Sequence, residues 1–556
     1  MAVLQFVPGG SGQQSGLNVA EKETDSLVER FHTMTINRIM NVRDEELRAP
    51  AKRVIYGFLG VLLVYVIIRS ILAAAGKSLW YDELLTLTVS SQGAWHGILS
   101  ALRGPLDGQP PLFYKIELIA SSLIGNQEIA LRLPSIFALP CTITCVFIYA
   151  KRHMGEIVAI VCAVFFLMTN VFQYYAMEAR PYSMVLACIA FALVCYQRVP
   201  SPLWTVLLAI SLALAESLQY IAVLAIVPLG LAEAVRVLGT RRFRWAVWAA
   251  LVFGTLPLFL FWKLLALTRA YYGAHFYFAQ FPISVIPRTY GEYFLTDGRF
   301  GAAVAAVAIA GVLGTAFGIP VAKNEDSNED PAERVLLCAF VGLPFIGYVF
   351  TRFTHSGMTG RYILSTVIGV TLALGYMLSR TTLRAVALFA VFVLSAVAVH
   401  ELHFWRFMLS DIHDVGSRGG EVKRIIEGAG RKELPVVVPD GGNLLWIVHY
   451  AFPTSADRLL YLTQDYSQGQ KQWEDTVDKG LRVYATFEPL RVSSFLQFAS
   501  ANEEFLFYTE DQNVGKDWLT MRLIREGWSV QTVAADGVHG LYLATRKGEC
   551  PSQSPD

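Results

Sequence analysis

Two adjacent carboxylates, Asp82 and Glu83, follow the first long hydrophobic run of the sequence by a few residues. Ionisable side chains near a membrane core lose part of their hydration, and they mark function more often than stability. A carboxylate shielded from bulk water can accept a proton from a hydroxyl or an amine, so we predict that Asp82 is a general base. Glu83 would orient Asp82, raise its pKa by like-charge proximity, or help to hold a divalent cation. The alternative is an interfacial turn whose two acids face water.

A second group of charged residues could bind a phosphate. Glu178 lies just after an apolar run at residues 157–174, where its carboxylate could bind a cation or substrate hydroxyls. Arg180 could meet a phosphate through two parallel hydrogen bonds, and Arg361 could hold another phosphate oxygen. The alternative is that Arg180 extends to the membrane surface while paired with a neighbouring glutamate.

Three further residues lie near the predicted outer face. Asp107 precedes a diproline and could border a pocket, whereas Lys263 could reach a phosphate or extend to the membrane surface. His275 could ligate a metal, bind substrate or pack among the aromatic residues that follow it. A divalent metal cation is therefore left open as a cofactor. The predicted catalytic residues are Asp82 and Glu83, the predicted substrate-binding residues are Glu178, Arg180, Tyr182, Arg361, Tyr362, Asp107 and Lys263, and the metal candidates are Glu178 and His275.

Membrane-spanning helices must position these residues. Of 556 residues, 54% are hydrophobic and only 16% are charged, whereas roughly a quarter are charged in soluble domains. A net charge of +1 argues against nucleic-acid binding, which needs a basic surface. Apolar runs near the length that crosses about 30 Å of hydrocarbon predict an all-α polytopic bundle of eleven spans. They lie at residues 54–75, 133–150, 157–174, 182–197, 203–217, 219–237, 246–267, 301–319, 335–353, 362–379 and 385–400.

The distribution of lysine and arginine predicts the orientation. The short loops assigned to the cytoplasm hold more of these residues than the short outer loops do, although Lys77, Arg103, Lys115 and Arg132 lie in the first outer loop. This bias places the N-terminus inside and the C-terminus outside the inner membrane of the cell. Residues 1–53 are then a cytoplasmic tail with a helix at 17–48, and residues 54–400 are the transmembrane domain. Its long outer loop, 76–132, is predicted to carry an interfacial helix around residues 95–102 and a second helix at 111–124 that is either interfacial or re-entrant. All the catalytic and phosphate-binding candidates fall on this outer side.

Residues 401–556 are predicted to form an extracytoplasmic α/β domain. Short apolar runs predict strands at 435–439, 459–462, 481–487, 505–508, 528–533 and 538–544. Residues 517–527 are predicted to be a helix that ends at Gly527. Asp440-Gly441-Gly442, directly after the first strand, is either a turn or a ligand-binding loop.

The order of five motifs resembles that of a known family. Residues 79–83 resemble the first-loop acidic motif of the GT-C superfamily of integral-membrane glycosyltransferases, and residues 109–114 resemble its PPLYY stretch. Residues 125–135 are similar to its G-x-x-E-x-A-x-R-L-P-S element, and residues 174–182 to its Y-Y-x-x-E-A-R-P-Y element. Arg361-Tyr362-Ile363-Leu364 resembles a late R-Y-L-L-P element. Order and spacing are those of the dolichyl-phosphate-mannose protein mannosyltransferase-like group, which includes the aminoarabinose transferases.

This resemblance implies inverting transfer of a sugar from a polyprenyl-phosphate donor to a protein, lipid or glycan acceptor at the non-cytoplasmic membrane face. It implies that Asp82 is the base, that Glu178 is a second acid, and that Arg180 and Arg361 meet the donor phosphate. Two positions depart from the family pattern. Gln109 stands where many members have histidine, and Ser365 stands where proline often follows the late motif.

Two other functions remain open from the sequence. A transporter or flippase of a lipid-linked substrate would also be a polytopic protein, but transporters usually show two related halves with broken helices near the bilayer centre. The second possibility is a partner in polysaccharide assembly whose outer-loop site has decayed. Neither an internal repeat nor charges at the bilayer centre are evident in the sequence.

Overall fold

A computed structural model describes residues 49–273, 282–294, 330–354, 359–411, 415–454, 456–464, 475–510 and 515–546, together with residues 307, 310, 311, 313 and 314. The helix predicted at 17–48, most of the span predicted at 301–319, and His275 lie outside these residues. The described part of the chain is mostly helical, with one small sheet near the C-terminus.

The first half of the helical domain surrounds the outer loop. Its helices are α1 Ala49–Gly76, α2 Tyr81–Ser91, α3 Trp95–Arg103, α4 Pro111–Ser121, α5 Gln127–Met154, α6 Glu156–Phe165, α7 Asn170–Gln173, α8 Tyr182–Tyr196 and α9 Pro202–Leu218. Two short 3-10 segments, Phe166–Met168 and Tyr175–Met177, flank α7. Both helices expected within the outer loop are present as α3 and α4, which are too short to cross a bilayer.

The second half of the helical domain contains several bends. A 3-10 segment, Tyr220–Ala225, leads into α10 Ile226–Thr240, and α11 Trp245–Gly254, α12 Leu256–Leu260, α13 Trp262–Tyr272 and α14 Val285–Phe294 follow. The last helices are α15 Pro331–Val341, α16 Leu343–Thr354, a 3-10 turn at Gly360–Ile363, α17 Ser365–Leu378 and α18 Leu383–Asp411. Pro257 near the start of α12 and Pro344 near the start of α16 lie close to two of the bends, as expected for a residue that cannot donate a helical hydrogen bond.

Apolar helices coincide with ten of the eleven predicted spans. By length and composition, four described helices could cross a membrane alone, at Ala49–Gly76, Gln127–Met154, Tyr220–Thr240 and Leu383–Arg406. Three further pairs of described helices are long enough if each bent pair counts as one span. Three other apolar helices are shorter than the length that this test requires. The eleventh predicted span lies largely outside the described residues, so the count of eleven and the membrane orientation stay predictions.

A buried ion pair joins the first and last long helices of this domain. Arg69 on α1 lies fully buried, and its Nε is 3.2 Å from a carboxylate oxygen of Glu401 on α18. Its Nη2 also donates to the side chain of Gln173 at 2.8 Å, and its guanidinium stacks 3.5 Å from the centroid of the Phe404 ring. A buried charge is costly unless it is paired and hydrogen-bonded, and this arrangement satisfies both conditions. The ion pair therefore fixes α1 against α18 and against the segment that leads to Glu178.

The C-terminal domain is a six-stranded sheet with helices on both faces. Its elements are α19 Val415–Gly428, β1 Val436–Val437, α20 Gly441–Tyr450, β2 Leu459–Thr463, α21 Thr476–Tyr484, β3 Arg491–Ser494, α22 Phe495–Ala501, β4 Glu504–Glu510, α23 Trp518–Arg525, β5 Ser529–Ala535 and β6 His539–Thr545. The strand order is β3-β2-β1-β4-β6-β5; the first four are parallel, and β6 is antiparallel to both β4 and β5. The predicted α/β class is therefore present.

Alternating side chains of the strands enter two different cores, because successive residues of a strand point to opposite faces. Val437, Leu460 and Phe507 pack with Phe495 of α22 and Leu519 of α23. Their strand neighbours join the cluster that contains α20, α21 and the helical domain; these neighbours are Val436, Leu459, Tyr461, Leu506 and Tyr508. One face of the sheet thus shares a continuous core with the helical domain.

One predicted strand is wrong. Residues 481–487 were expected to be extended, but residues 476–484 form helix α21. Val477, Leu481 and Tyr484 recur at helical spacing and pack against the core, and that pattern begins before the window that suggested a strand. Asp440 is the N-cap of α20, since its Oδ1 accepts the backbone N–H of Asn443 at 2.7 Å, so Asp440-Gly441-Gly442 begins a helix that was not predicted.

Candidate active site

The predicted acidic pair lies on the first turn of α2. Trp80 precedes the helix in an extended conformation, and its backbone N–H donates to a carboxylate oxygen of Glu83 at 3.2 Å. Negative side chains are favoured there because the first helical N–H groups are unsatisfied and the helix dipole is positive. Asp82 and Glu83 are both buried, but they point to different surroundings.

Glu83 is bound by Arg132, which lies fully buried on α5. Arg132 Nε donates to Glu83 Oε1 at 2.8 Å, and Nη2 donates to Oε2 at 2.6 Å. The other Arg132 hydrogen bonds go to the backbone carbonyls of Ala74, Lys77 and Ser78, where α1 ends. Burial disfavours the charged carboxylate, but the Arg132 guanidinium outweighs it and holds the pKa of Glu83 below its usual value. This bidentate pair therefore joins α1, α2 and α5.

Glu83 also reaches the segment that carries Arg180. Its Oε1 accepts the backbone N–H of Ala179 at 2.8 Å. On the next residue, Arg180 Nη1 donates to Asp107 Oδ2 at 2.6 Å and to Thr86 Oγ1 at 3.2 Å. Arg180 Nε lies 4.0 Å from Oδ2 of Asp82 and has no hydrogen-bond partner among the described residues. The pair of Glu83 and Arg132 thus fixes the backbone on both sides of the contact between Asp82 and Arg180.

A second guanidinium approaches Asp82 from the other end of the chain. Arg361 lies in the 3-10 turn before α17, and its Nη1 donates to Asp82 Oδ2 at 3.1 Å. The guanidinium carbon is 5.8 Å from the ring centroid of Trp80 and 5.9 Å from that of Tyr182. Aromatic faces at this distance hold a cation in place by electrostatic attraction. One oxygen of Asp82 is therefore shared by two arginine side chains.

These residues open onto a cavity of about 250 Å³. Asp82, Asp107, Arg180, Arg361 and Tyr362 line it, so five of the predicted residues meet in one space. The remaining lining residues come from α2, the outer loop, the segment that follows α9, α13 with the residue after it, and α21; they are Tyr81, Leu85, Leu106, Gly108, Gln109, Gln219, Tyr220, Ile221, Leu265, Thr268, Arg269, Tyr272, Gly273 and Thr476.

Comparisons with known proteins give similarity of structure but not of sequence. No family model matches the chain, and no curated protein matches it. The crystal structure of ArnT from Cupriavidus metallidurans in the apo state superposes with a TM-score of 0.51 at 15% identity, over 87% of this chain and 97% of that one. ArnT is an aminoarabinose transferase and a GT-C glycosyltransferase.

The chain has the fold of ArnT.

Two further solved structures align with lower TM-scores. ArnT from Cupriavidus metallidurans bound to undecaprenyl phosphate gives a TM-score of 0.48 at 15% identity, over 87% of this chain and 97% of that one. The apo oligosaccharyltransferase of Archaeoglobus fulgidus gives a TM-score of 0.43 at 10% identity, over 84% of this chain and 73% of that one. At such identities the likeness extends to the fold alone, so the chemistry must be argued from this chain's own residues.

Several predicted residues lie outside the cavity of the helical domain. Glu83 is held behind it by Arg132, and Tyr182 borders a smaller neighbouring cavity with Arg361 and Tyr362. Lys263 is exposed on the first turn of α13, whereas Arg269, near the end of the same helix, lines the cavity. His275 lies outside the described residues.

Glu178 is buried beside the cavity. Its Oε2 has no hydrogen-bond partner among the described residues. Burial raises the pKa of Glu178 to about 7, with Glu83 and Asp82 adding to the rise and Lys77 and Arg361 opposing it. This unpaired oxygen could ligate a cation. However, the described residues contain no group of three His, Cys, Asp or Glu side chains that could hold a metal ion.

Three important residues were not predicted as functional from the sequence. Arg132 stood within the R-L-P-S element, which was the only signal for its role. Arg269 enters the cavity because the helix pair Trp245–Leu260 and Trp262–Tyr272 bends by 55°. Thr476 belongs to the C-terminal domain, and no motif connected it to Asp82.

Proposed function

We propose that the protein is a glycosyltransferase that moves a sugar from a polyprenyl-phosphate donor to an acceptor at the extracytoplasmic face of the cell membrane, with inversion at the anomeric carbon. The observation that carries the proposal is the position of Asp82, which lies in a cavity between Arg180 and Arg361. A carboxylate can accept a proton and guanidinium groups can bind a phosphate, and this transfer needs both.

The two arginine side chains suit the donor phosphate. Arg180 and Arg361 together offer two charges to the bridging and terminal oxygens of a phosphodiester. As the bond between the anomeric carbon and the bridging oxygen breaks, both electrons go to the polyprenyl phosphate. Guanidinium groups that are already in position stabilise this charge as it develops, without reorganisation during the reaction.

Asp82 accepts the acceptor's proton in this mechanism. The acceptor hydroxyl or amine attacks the anomeric carbon on the face opposite the phosphate, forms the new glycosidic bond, and loses its proton to Asp82. Phosphate oxygens compete with Asp82 for Arg361, so donor binding frees the carboxylate to act as a base. A single displacement of this kind inverts the anomeric configuration.

Glu83 acts as a positioning group in this mechanism. Its two oxygens bind Arg132 and the backbone N–H groups of Trp80 and Ala179, and it does not line the cavity. It therefore holds the residues next to Asp82 and Arg180 at a fixed separation. Glu178, with a pKa of about 7, contributes a second carboxyl close to the arginine cluster.

The experiment that tests this function is incubation of the purified full-length protein with labelled undecaprenyl-phosphate sugars and acceptor membranes from cells that lack the gene. A glycosyltransferase releases undecaprenyl phosphate and places the label in the acceptor. A flippase in liposomes moves the intact lipid and releases no undecaprenyl phosphate, and that result would overturn the proposal.

A further inference from the structure

A second cavity, of about 210 Å³, lies between α1, α6 and α18. We call it the apolar groove, because every residue that lines it is apolar; these residues are Val54, Ile55, Phe58, Ile160, Val161, Val164, Ala390, Val393 and Leu394. It shares no lining residue with the cavity that contains Asp82. The groove is therefore separate from the proposed active site.

The groove opens onto the surface that a bilayer would cover. Val54, Phe58 and Leu394 are exposed, and only 22% of the apolar stretch of α18 is buried within the protein. The hydrocarbon region holds no water to hydrate polar groups, so an occupant at this depth is itself apolar. A helix is about 10 Å across and is too wide for the groove, whereas a hydrocarbon chain is narrow enough to enter it.

The groove occupies one half of the bilayer. Its farthest lining residues, Phe58, Val164 and Leu394, lie about 12–17 Å from the first residues of α1, α6 and α18 at 1.5 Å per residue. Half of the hydrocarbon core is about 15 Å thick. In the predicted orientation all three helices begin at the cytoplasmic side, so the groove faces the inner leaflet.

Basic residues surround the end of the groove at which these helices begin. Lys52 and Arg53 directly precede its first lining residue, and Arg384 lies on the first turn of α18. Lys151 and Arg152 lie near the end of α5, just before α6 begins. Long basic side chains at a membrane surface attract anionic lipid head groups, and basic sites between membrane helices bind them.

The acid at this end does not cancel that charge. Lys151 Nζ lies 3.1 Å from Oε1 of Glu156, the first residue of α6, so these two charges neutralise each other. Lys52, Arg53 and Arg384 form no ion pair within the described part of the chain. The mouth of the groove is therefore positively charged.

We propose that the apolar groove binds an acyl chain of an anionic glycerophospholipid, whose phosphate meets Lys52, Arg53 and Arg384 at the cytoplasmic membrane surface. The polyprenyl donor is a different lipid at a different place, because its phosphate is assigned to Arg180 and Arg361. A lipid bound here contacts α1, α6 and α18 together. It thus joins α1 to α18 roughly 20 Å along α1 from the buried pair of Arg69 and Glu401.

The test measures lipid binding to the delipidated full-length protein in detergent by native mass spectrometry. The probes are phosphatidylglycerol and phosphatidylcholine with identical acyl chains, and undecaprenyl phosphate is the competitor. Monodisperse elution and the unfolding midpoint without lipid report whether each variant is folded.

Two variants separate the head group from the acyl chain. The double variant Lys52→Gln/Arg53→Gln removes charge at the mouth, and its control is Arg241→Gln/Arg242→Gln, an exposed basic pair after α10 on the same predicted side. Leu394→Trp fills the groove. Its control is Leu388→Trp, because Leu388 is exposed on the same helix and does not line the groove.

We expect the wild type to bind phosphatidylglycerol about tenfold or more tightly than phosphatidylcholine. Lys52→Gln/Arg53→Gln should weaken phosphatidylglycerol binding about tenfold and leave phosphatidylcholine binding within twofold. Leu394→Trp should weaken the binding of both lipids about fivefold, and both controls should match the wild type. Excess undecaprenyl phosphate should leave phosphatidylglycerol binding within twofold.

Four results would overturn the inference. They are equal affinity of the wild type for the two phospholipids, an equal loss in Arg241→Gln/Arg242→Gln, wild-type lipid binding by folded Leu394→Trp, and displacement of phosphatidylglycerol by undecaprenyl phosphate. Neither Lys52 nor Arg53 is buried, so their double variant decides the question even if Leu394→Trp does not fold. The outcome is independent of whether the protein transfers a sugar.

Discussion

Arg361 Nη1 lies 3.1 Å from Oδ2 of Asp82, although 279 residues separate the two in sequence. Arg180 approaches the same oxygen from another direction, at 4.0 Å. A phosphate anion that binds Arg361 competes with Asp82 for this hydrogen bond. We therefore expect donor binding and base activation to be linked through Arg361.

The first prediction concerns phosphate binding by Arg361. Arg361→Gln should weaken binding of undecaprenyl phosphate by the purified protein about tenfold or more, because a hydrogen bond between charged groups contributes about 1.5–3 kcal/mol. Native mass spectrometry with a titration of undecaprenyl phosphate measures this change. Arg525→Gln is the matched control, since Arg525 is exposed and does not line the cavity. Wild-type affinity in Arg361→Gln would exclude this arginine from the phosphate site.

The second prediction concerns the stability that Glu83 and Arg132 provide. Glu83→Gln should lower the thermal unfolding midpoint markedly, since removal of one partner of a buried ion pair costs about 3–5 kcal/mol. Glu504→Gln is the matched control, because it breaks an exposed pair with Arg431, and such pairs contribute about 0–1 kcal/mol. The unfolding midpoint is measured by the loss of monodisperse protein on heating. Equal midpoints for the two variants would contradict the positioning role of Glu83.

The pKa of Glu83 gives this pair a pH dependence. The folded-state pKa lies below the unfolded value, so the stabilisation is present above the unfolded pKa and is lost as the pH falls through the folded pKa. Acidification should therefore reduce the difference in unfolding midpoint between the wild type and Glu83→Gln.

The third prediction concerns Glu178, whose pKa is raised by burial to about 7. A raised folded-state pKa gives stability that is present below the unfolded pKa and is lost as the pH rises through the folded pKa. The stability should thus fall between about pH 4.5 and 7, by roughly 3 kcal/mol at most, since one pKa unit corresponds to about 1.4 kcal/mol. Thermal unfolding from pH 5 to 8 measures this. The unfolding midpoint of Glu178→Gln should not fall over that pH range. If the midpoint of this variant falls with pH as steeply as that of the wild type, the effect belongs to another group.

Sequence reasoning identified the charged residues of the site but not how they pair. Asp82, Arg180 and Arg361 were placed on one side of the membrane because hydropathy and charge distribution set the order of spans and loops. Hydropathy and charge distribution are local properties of the sequence, and they do not report which distant residues contact each other. The pairing of Glu83 with Arg132 depends on where α5 crosses the end of α1, which no local pattern encodes.

Residues on bent or misassigned elements were harder to predict. Lys263, near the outer end of a predicted span, was a phosphate-binding candidate. It lies exposed after the bend before α13, whereas Arg269, near the end of α13, lines the cavity. The strand predicted at 481–487 hid α21 and with it the contribution of Thr476. Short apolar runs are ambiguous between strand and buried helix, and in this domain tertiary packing decides between them.

The most direct test of the central claim is transfer by Asp82→Asn. The substitution keeps the size of the side chain but removes its capacity to accept a proton, and a positioned general base typically contributes about 10²–10⁴-fold to the rate. We expect Asp82→Asn to fold, to bind undecaprenyl phosphate, and to lose transfer from a labelled undecaprenyl-phosphate sugar by at least two orders of magnitude. Asp536→Asn, at an exposed turn outside the cavity, should keep full activity. Transfer by Asp82→Asn at the wild-type rate would contradict the assignment of the base and the mechanism built on it.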